Sequence, residues 1–375
     1  MKQRSLATLL TIIALVIPGI AGAAQTNTRD SIADPSQSSK PPRWTVSAEA
    51  IVFDRVDTAK WTLVERVPGA VSFANVPSTA GTSALNSTDL DQGFSPGFRL
   101  GAAYHIDSNN DLSVSFFRIN DWNSTRSVGP DNPLNWLVMK APGSFFQTQD
   151  FSYQSMTWDY TTKLYNAELN VKNKISDRIT MLAGFRWLQL SENLQGSIPP
   201  ADRILPLWKF FPNDNLFDVL QFENKPGGIP ATGELPPFWN TSTRNNLYGF
   251  QIGADGKLLE RGHFSINGLI KAGGYWNHAS ESTGVSLEKV VYNSNASTNR
   301  VAFVGEAGLQ GKYQVTSGIA LKLGYEMLWL SGVALAPGQI QETYTVSPST
   351  VYATGVNSHS NVLFHGVTAG LECSF

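Results

Sequence analysis

The sequence predicts an all-β chain closed into an antiparallel transmembrane β-barrel of about ten strands, with twelve as the alternative. Three observations predict it. The final strand alternates strictly and stops on an aromatic residue. Nine further segments alternate in the same way, with charges confined to one face. The connections between them are short and long by turns.

The final segment ends Gly366-Val367-Thr368-Ala369-Gly370-Leu371-Glu372-Cys373-Ser374-Phe375. Phe375, Cys373, Leu371, Ala369 and Val367 fall on one face, and Ser374, Glu372, Gly370, Thr368 and Gly366 on the other. Alternation at period two is the pattern of a strand between two unlike media. Here the media are lipid outside and a polar lumen inside.

The N-terminus carries Lys2 and Arg4, an apolar run from Leu6 to Ile20, and the small residues Ala21-Gly22-Ala23-Ala24. That is the layout of a secretory signal peptide over residues 1–23, cleaved after Ala23 or Ala24. Residues 24–43 are polar and rich in Ser and Pro, so they read as a flexible periplasmic segment without core-forming capacity. The barrel is assigned to residues 44–375. No other stretch offers the roughly 18 apolar residues that a spanning helix needs, so strands must do any spanning.

Composition narrows the function. The formal charge is −2, and loss of Lys2 and Arg4 with the signal would take it to about −4. No basic stripe points to nucleic acid. The single cysteine, Cys373, excludes an internal disulfide and a cysteine metal cluster, and no cofactor is expected. Hydrophobic content of 42%, charge of 15%, aromatic content of 11% and 32 glycines suit a barrel with small lumen residues and aromatic interface belts.

The strands follow in order. Trp44, Val46, Ala48, Ala50 and Val52 alternate with Thr45, Ser47 and Glu49. Phe98 to Tyr104, Leu112 to Phe116, Tyr165 to Val171 and Ile179 to Trp187 repeat the pattern, with Arg99, Glu168 and Arg186 on the polar face. In the second half the apolar sets run from Tyr248 to Ala254, Phe264 to Ala272, Val301 to Tyr313 and Ile319 to Trp329. Their opposite faces carry Lys271, Glu306, Lys322 and Glu326. Short turns are expected near 106–110, 173–176, 258–262 and 314–318. Long extracellular loops are expected over 55–95, 123–155, 193–244, 277–299 and 331–360. An even strand number with this alternation puts both termini in the periplasm. Trp187, Tyr248, Trp276 and Trp329 then fall near the extracellular ends, and Trp44, Tyr104, Tyr313 and Phe375 near the periplasmic ends. Those are the two depths that amphipathic rings prefer.

Several of these segments resemble a known family. Gly184-Phe185-Arg186-Trp187-Leu188, Asn246-Leu247-Tyr248-Gly249, Lys271-Ala272-Gly273, Phe303-Val304-Gly305-Glu306, Tyr325 to Leu330 and His365 to Glu372 are similar to bacterial porin-like outer-membrane β-barrel proteins, related to pore-forming major outer-membrane proteins. The resemblance covers about residues 160–192 and 245–375, and the first 150 residues match only in their opening strand. It implies fold and a bacterial outer-membrane location more than an activity.

The expected function is a porin-like channel for passive passage of ions or small hydrophilic solutes. The alternative is a non-conducting barrel whose loops serve structure, adhesion or recognition. The expected pore-lining residues are Glu49, Arg99, Glu168, Arg186, Lys271, Glu306, Lys322, Glu326 and Glu372, which carry both signs in near-equal number. They would either pair into a plug or line a hydrated path. About ten strands give a narrow lumen, which favours the plug. An enzyme is not expected. His278, His359 and His365 have no compact acid cluster beside them, and no nucleophile motif accompanies lipid-facing His365. The loops hold many aromatics, among them Trp136, Phe145, Phe146, Trp208, Phe210, Phe211, Phe238 and Trp239. They would form a cap or a recognition surface. Expected partners are outer-membrane lipids and lipopolysaccharide, the outer-membrane assembly machinery acting on the C-terminal strand, and small solutes. A homo-oligomer is compatible with a porin.

Overall fold

A computed structural model describes residues 42–57, 59–68, 82–129, 135–139, 152–153, 155–197, 229–230, 238–287, 290–341, 345–347, 350–352 and 356–375. The expected signal peptide, nearly all of the expected N-terminal segment, and loop residues Phe145, Phe146, Trp208, Phe210 and Phe211 lie outside the described residues. None of the described helices is long and apolar enough to cross a membrane.

Ten long strands build the barrel: β1 (Trp44–Asp57), β2 (Phe94–His105), β3 (Asn110–Val128), β4 (Met156–Lys174), β5 (Ile179–Ser197), β6 (Phe238–Arg261), β7 (Phe264–Leu287), β8 (Val290–Gln314), β9 (Ile319–Val333) and β10 (Ser360–Ser374). Each pairs antiparallel with its neighbours in sequence, and β10 returns to pair with β1, closing the ring. The closing register sets Thr45 opposite Ser374 and Asp57 opposite Val362. Closure removes the exposed strand edges that lipid would not satisfy.

One end of the ring carries tight turns and the other carries the loops. Turns at 106–109, 175–178, 262–263 and 315–318 join β2 to β3, β4 to β5, β6 to β7 and β8 to β9. Gly262 supplies the positive φ of 58° that its two-residue hairpin needs. In the first turn Asp107 accepts from the Asn109 and Asn110 amides and the Asn110 side chain. These bonds hold its carboxylate below the usual range.

The expected loop over 277–299 is corrected. β7 and β8 stay paired up to Leu287 and Val290, so the connection is a tall hairpin. Its residues lack apolar alternation because both faces of this stretch are largely polar. Its outer side chains (His278, Ser280, Ser282) are polar and so are many inner ones (Asn277, Glu281, Thr283).

A second departure lies in β3. The register with β4 shifts between Ile119 and Trp122. This bulge turns Trp122 into the barrel, where its indole N–H donates to the Phe53 carbonyl at 3.1 Å and its ring lies 5.3 Å from that of Phe364.

The outward face gives the height of the apolar band. On β9, Ile319, Leu321, Leu323, Tyr325, Met327 and Trp329 are all exposed. Ten residue steps at about 3.3 Å, inclined by about 40°, span about 25 Å, the height of a membrane barrel's apolar band.

Candidate functional site: the barrel interior

The nine charged residues expected on the inner face meet inside the barrel, and Lys312 joins them. Arg99 on β2 grips Glu326 on β9 with two bonds of 2.7 and 2.6 Å and reaches Glu49 on β1 at 3.3 Å. Lys322 on β9 lies 2.5 Å from Glu49 and 3.6 Å from Glu372. Lys312 on β8 lies 2.5 Å from Glu372. A second group forms beside the first. Arg186 on β5 bonds Glu306 on β8 at 2.8 Å and lies 3.6 Å from Glu168 on β4. Lys271 on β7 sits 3.0 Å from both carboxylates. Several of these pairs skip intervening strands, which only chords through the interior can do.

Each group balances. The first holds three carboxylates and three cations, the second two and two. Uncharged partners take the remaining lone pairs of Glu168: Asn166, Asn170 and Gln251 donate at 3.2, 3.1 and 2.9 Å. Arg186 donates from Nε to Asn166 at 2.5 Å and is only 1% exposed. Buried charges persist only when paired and hydrogen-bonded in this way. Backbone space is part of the arrangement. A Cβ on Gly370 would stand 2.7 Å from Cγ of Glu49 and 2.2 Å from the Ala48 carbonyl oxygen, so glycine lets Glu49 lie flat against β10. Around the first group a polar vestibule of about 490 Å³ opens at the turn end, with Ser47, His105 and Ser374 also on its wall.

Above the charges the inner face changes character. Ile51, Phe53, Phe117, Ile119, Leu164, Leu188, Leu190, Leu247, Tyr275, Val304, Leu328, Leu330, Val362 and Phe364 form one buried cluster, most with no exposed surface. Contributions come from nine of the ten strands, all but β2, so the layer extends across the lumen. The alternation rule had reserved these positions for polar residues. The sequence carries a signal for them in runs apolar on both faces: Ile51-Val52-Phe53, Phe116-Phe117, Trp187-Leu188, Met327 to Leu330 and Val362 to Phe364. Such runs mark strands buried on both sides.

Next comes a segment that leaves β9 and folds inward. Gly332 takes a φ of 82° where the chain turns. Val333 to Gln339 are buried. Asn245 holds Ala334 from both sides, its amide donating to the Ala334 carbonyl and its oxygen accepting from the Ala334 N–H, each at 2.7 Å. Asn277 donates to the Gly332 carbonyl at 3.0 Å. The Ala336 N–H donates to Glu192 at 2.8 Å, and Glu192 in turn pairs with Arg55 at 2.6 Å. Arg55 also donates to the Tyr160 hydroxyl at 2.6 Å and pairs with Asp57 at 2.8 Å.

A small sheet of four short strands (82–86, 62–68, 135–139 and 152–153, in that order) covers the loop end. Its Leu63, Val64, Leu85 and Leu137 bury against Met156, Trp158, Leu194 and Trp239 of the barrel wall. Four layers therefore follow one another along the axis: charged vestibule, apolar layer, inserted segment and cap.

The outward aromatics gather near two levels. Trp187, Tyr248 and Trp276 share one cross-strand row, and Trp329 packs at a tilt against Phe303, their rings 5.5 Å apart. Near the turn end Trp44 packs on Tyr104 at 4.9 Å, Tyr313 faces Phe264 across the β7–β8 pair, and Phe375 is exposed.

Residues 224–375 match the model of the family described as "Putative beta barrel porin-7 (BBP7)". The chain folds as a closed ten-strand antiparallel β-barrel, and its C-terminal part is similar to that family. Among solved structures, the barrel is similar to the outer membrane protease OmpT from Escherichia coli (10% identity, 90% of this chain and 98% of that chain covered, TM-score 0.45). It is also similar to the translocator domain of the autotransporter NalP from Neisseria meningitidis (9% identity, 99% and 98% covered, TM-score 0.36). A third similar structure is the Ralstonia pickettii toluene transporter TbuX (8% identity, 89% and 90% covered, TM-score 0.30). No curated protein sequence matches the chain.

His105 pairs with Asp111 at 2.6 Å near the turn end, and the three histidines considered from the sequence have other partners. His278 pairs with Asn299 at 2.8 Å, His365 with Tyr325 at 2.8 Å, and His359 with Arg300. Among the described residues no three His, Cys, Asp or Glu side chains converge as metal ligands.

Proposed function

We propose that this protein sits in the outer membrane as a barrel closed at rest, and that its loop end serves structure or recognition. One observation carries the reading: the buried apolar layer spans the interior, and the inserted segment and the cap sheet stack on top of it. A dry layer of this kind has no room for hydrated ions, and desolvating an ion costs many kcal/mol. The balanced ion pairs at the turn end are then the structural plug, holding strands together across the lumen. In the same reading both termini face the periplasm, the aromatic rows mark the two headgroup levels, and β10 with Phe375 is what the assembly machinery engages.

The porin-like reading, passive passage of ions or small solutes past Glu49, Arg99, Arg186 and their partners, draws support from the charged vestibule and from the family match over 224–375. It requires the inserted segment and the apolar layer to move aside. Proteoliposome swelling separates the two. The closed barrel predicts that liposomes carrying folded protein swell in arabinose no faster than protein-free liposomes. Swelling that scales with protein content would establish the channel.

A further inference from the structure

The outer wall of the barrel carries a feature that the interior does not explain. Immediately above the row of Trp187, Tyr248, Trp276 and Val301, the outward residues become polar at once. The next rows are Gln189–Asn246–His278–Asn299, then Ser191–Arg244–Ser280–Ser297, then Asn193–Ser242–Ser282–Asn295. None of these twelve side chains is apolar. The wall is concave here and encloses an outward-facing hollow of about 730 Å³ across β4 to β8, with Lys163 on its β4 side. Glu192 and Glu281 lie on its wall, but both carboxylates turn inward, to Arg55 and to Thr283. The outward charges lining it are Lys163, paired with Asp121 at 2.9 Å, and the exposed Arg244.

Depth and chemistry specify an occupant. The hollow begins one residue pair above the ring that marks the headgroup level. Hydroxyls and amides in rows offer both donors and acceptors, as sugar hydroxyls require. Arginine's planar fork suits a phosphate oxygen pair, and no outward carboxylate of the lining repels an anion. We propose that this collar binds the phosphorylated sugar headgroup of outer-leaflet lipopolysaccharide, with Arg244 on a phosphate and Ser191, Ser242 and Ser280 on sugar hydroxyls. This rests on the reading that the loop end faces outside.

The test uses full-length mature protein folded in detergent and titrated with deep-rough lipopolysaccharide, the same lipopolysaccharide after phosphatase treatment, and phosphatidylglycerol. The folded fraction is followed by heat-modifiable gel mobility. The wild type is expected to bind the phosphorylated form at least tenfold more tightly than either comparator. Arg244→Glu, which reverses the charge, and Ser280→Trp, which fills the hollow, leave the interior untouched and should each weaken binding about tenfold, the first by loss of a charge-assisted bond and the second by bulk. Unchanged affinity in folded Arg244→Glu overturns the proposal. So does equal affinity for phosphatidylglycerol, or a dimer that forms through this face without lipid. Orientation is read separately, at the exposed Ser127 outside the hollow: Ser127→Cys in a Cys373→Ser background should react with a membrane-impermeant maleimide on intact cells. Failure to label sinks the orientation, whereas labelling without an Arg244 effect sinks the binding site alone.

Discussion

Replacing Arg186 distinguishes a dry plug from a hydrated lumen. Arg186 sits among Glu168, Glu306 and Lys271, a group of two acids and two bases. Arg186→Met keeps the volume roughly constant and leaves two buried carboxylates facing one ammonium. Breaking a buried pair from one side costs about 3–5 kcal/mol, because a charge is left unsatisfied. In water-filled surroundings the same pair would contribute at most about 1 kcal/mol. The double variant Arg186→Met with Glu306→Gln restores neutrality between Glu168 and Lys271. It should recover most of the loss, to within about 1–2 kcal/mol of the parent, as apolar or neutral replacement of a whole buried pair often does. Urea unfolding from lipid bilayers, followed by tryptophan fluorescence, measures both. A cost below about 1 kcal/mol for the single variant, or a double variant no better than the single, would refute the reasoning.

Three other outcomes are expected. Trp122→Ala removes a large buried ring and its bond to the Phe53 carbonyl. It should cost about 3–5 kcal/mol in the same unfolding assay. Gly370→Val places atoms 2.2 Å from the Ala48 carbonyl oxygen in the closing strand pair, and the heat-modifiable folded band should be lost. Asn245→Leu takes away both bonds to Ala334. Amide exchange of Val333 to Ala336 should accelerate by tenfold or more while exchange in β1 and β10 stays slow.

Parity made much of this barrel legible from the chain alone. Phe375, Cys373 and Leu371 set the rule, and the same rule places Arg99, Arg186, Glu306 and Glu326 on one side. The residues meet because every one obeys it, although no local signal says which acid meets which base. What parity could not give was the apolar layer across the interior. It sorts side chains into two faces but does not say that the inner face is wet. Leu188 and Leu190 share the face of Arg186, and Phe53 shares that of Glu49. Only the closure of the ring, which brings them together across a narrow lumen, turns scattered leucines into a layer. The hairpin from Asn277 to Asn299 was hidden for a related reason. In this stretch both faces are largely polar, and a strand with two polar faces has no period-two signature. The bulge after Ile119 reverses parity within β3, so Trp122 points inward by a shift that alternation cannot foresee. The inward fold of 332–339 rests on contacts with Asn245, Asn277 and Glu192, all distant in sequence.

The central claim is that this barrel is closed at rest, and single-molecule conductance tests it most directly. Folded, full-length mature protein inserted into planar lipid bilayers in molar potassium chloride should give no discrete, steady conductance steps at ordinary holding potentials. Reproducible steps of uniform size, altered in ion selectivity by Arg186→Met or Glu326→Gln, would contradict it and show that the charged vestibule continues into an open pore.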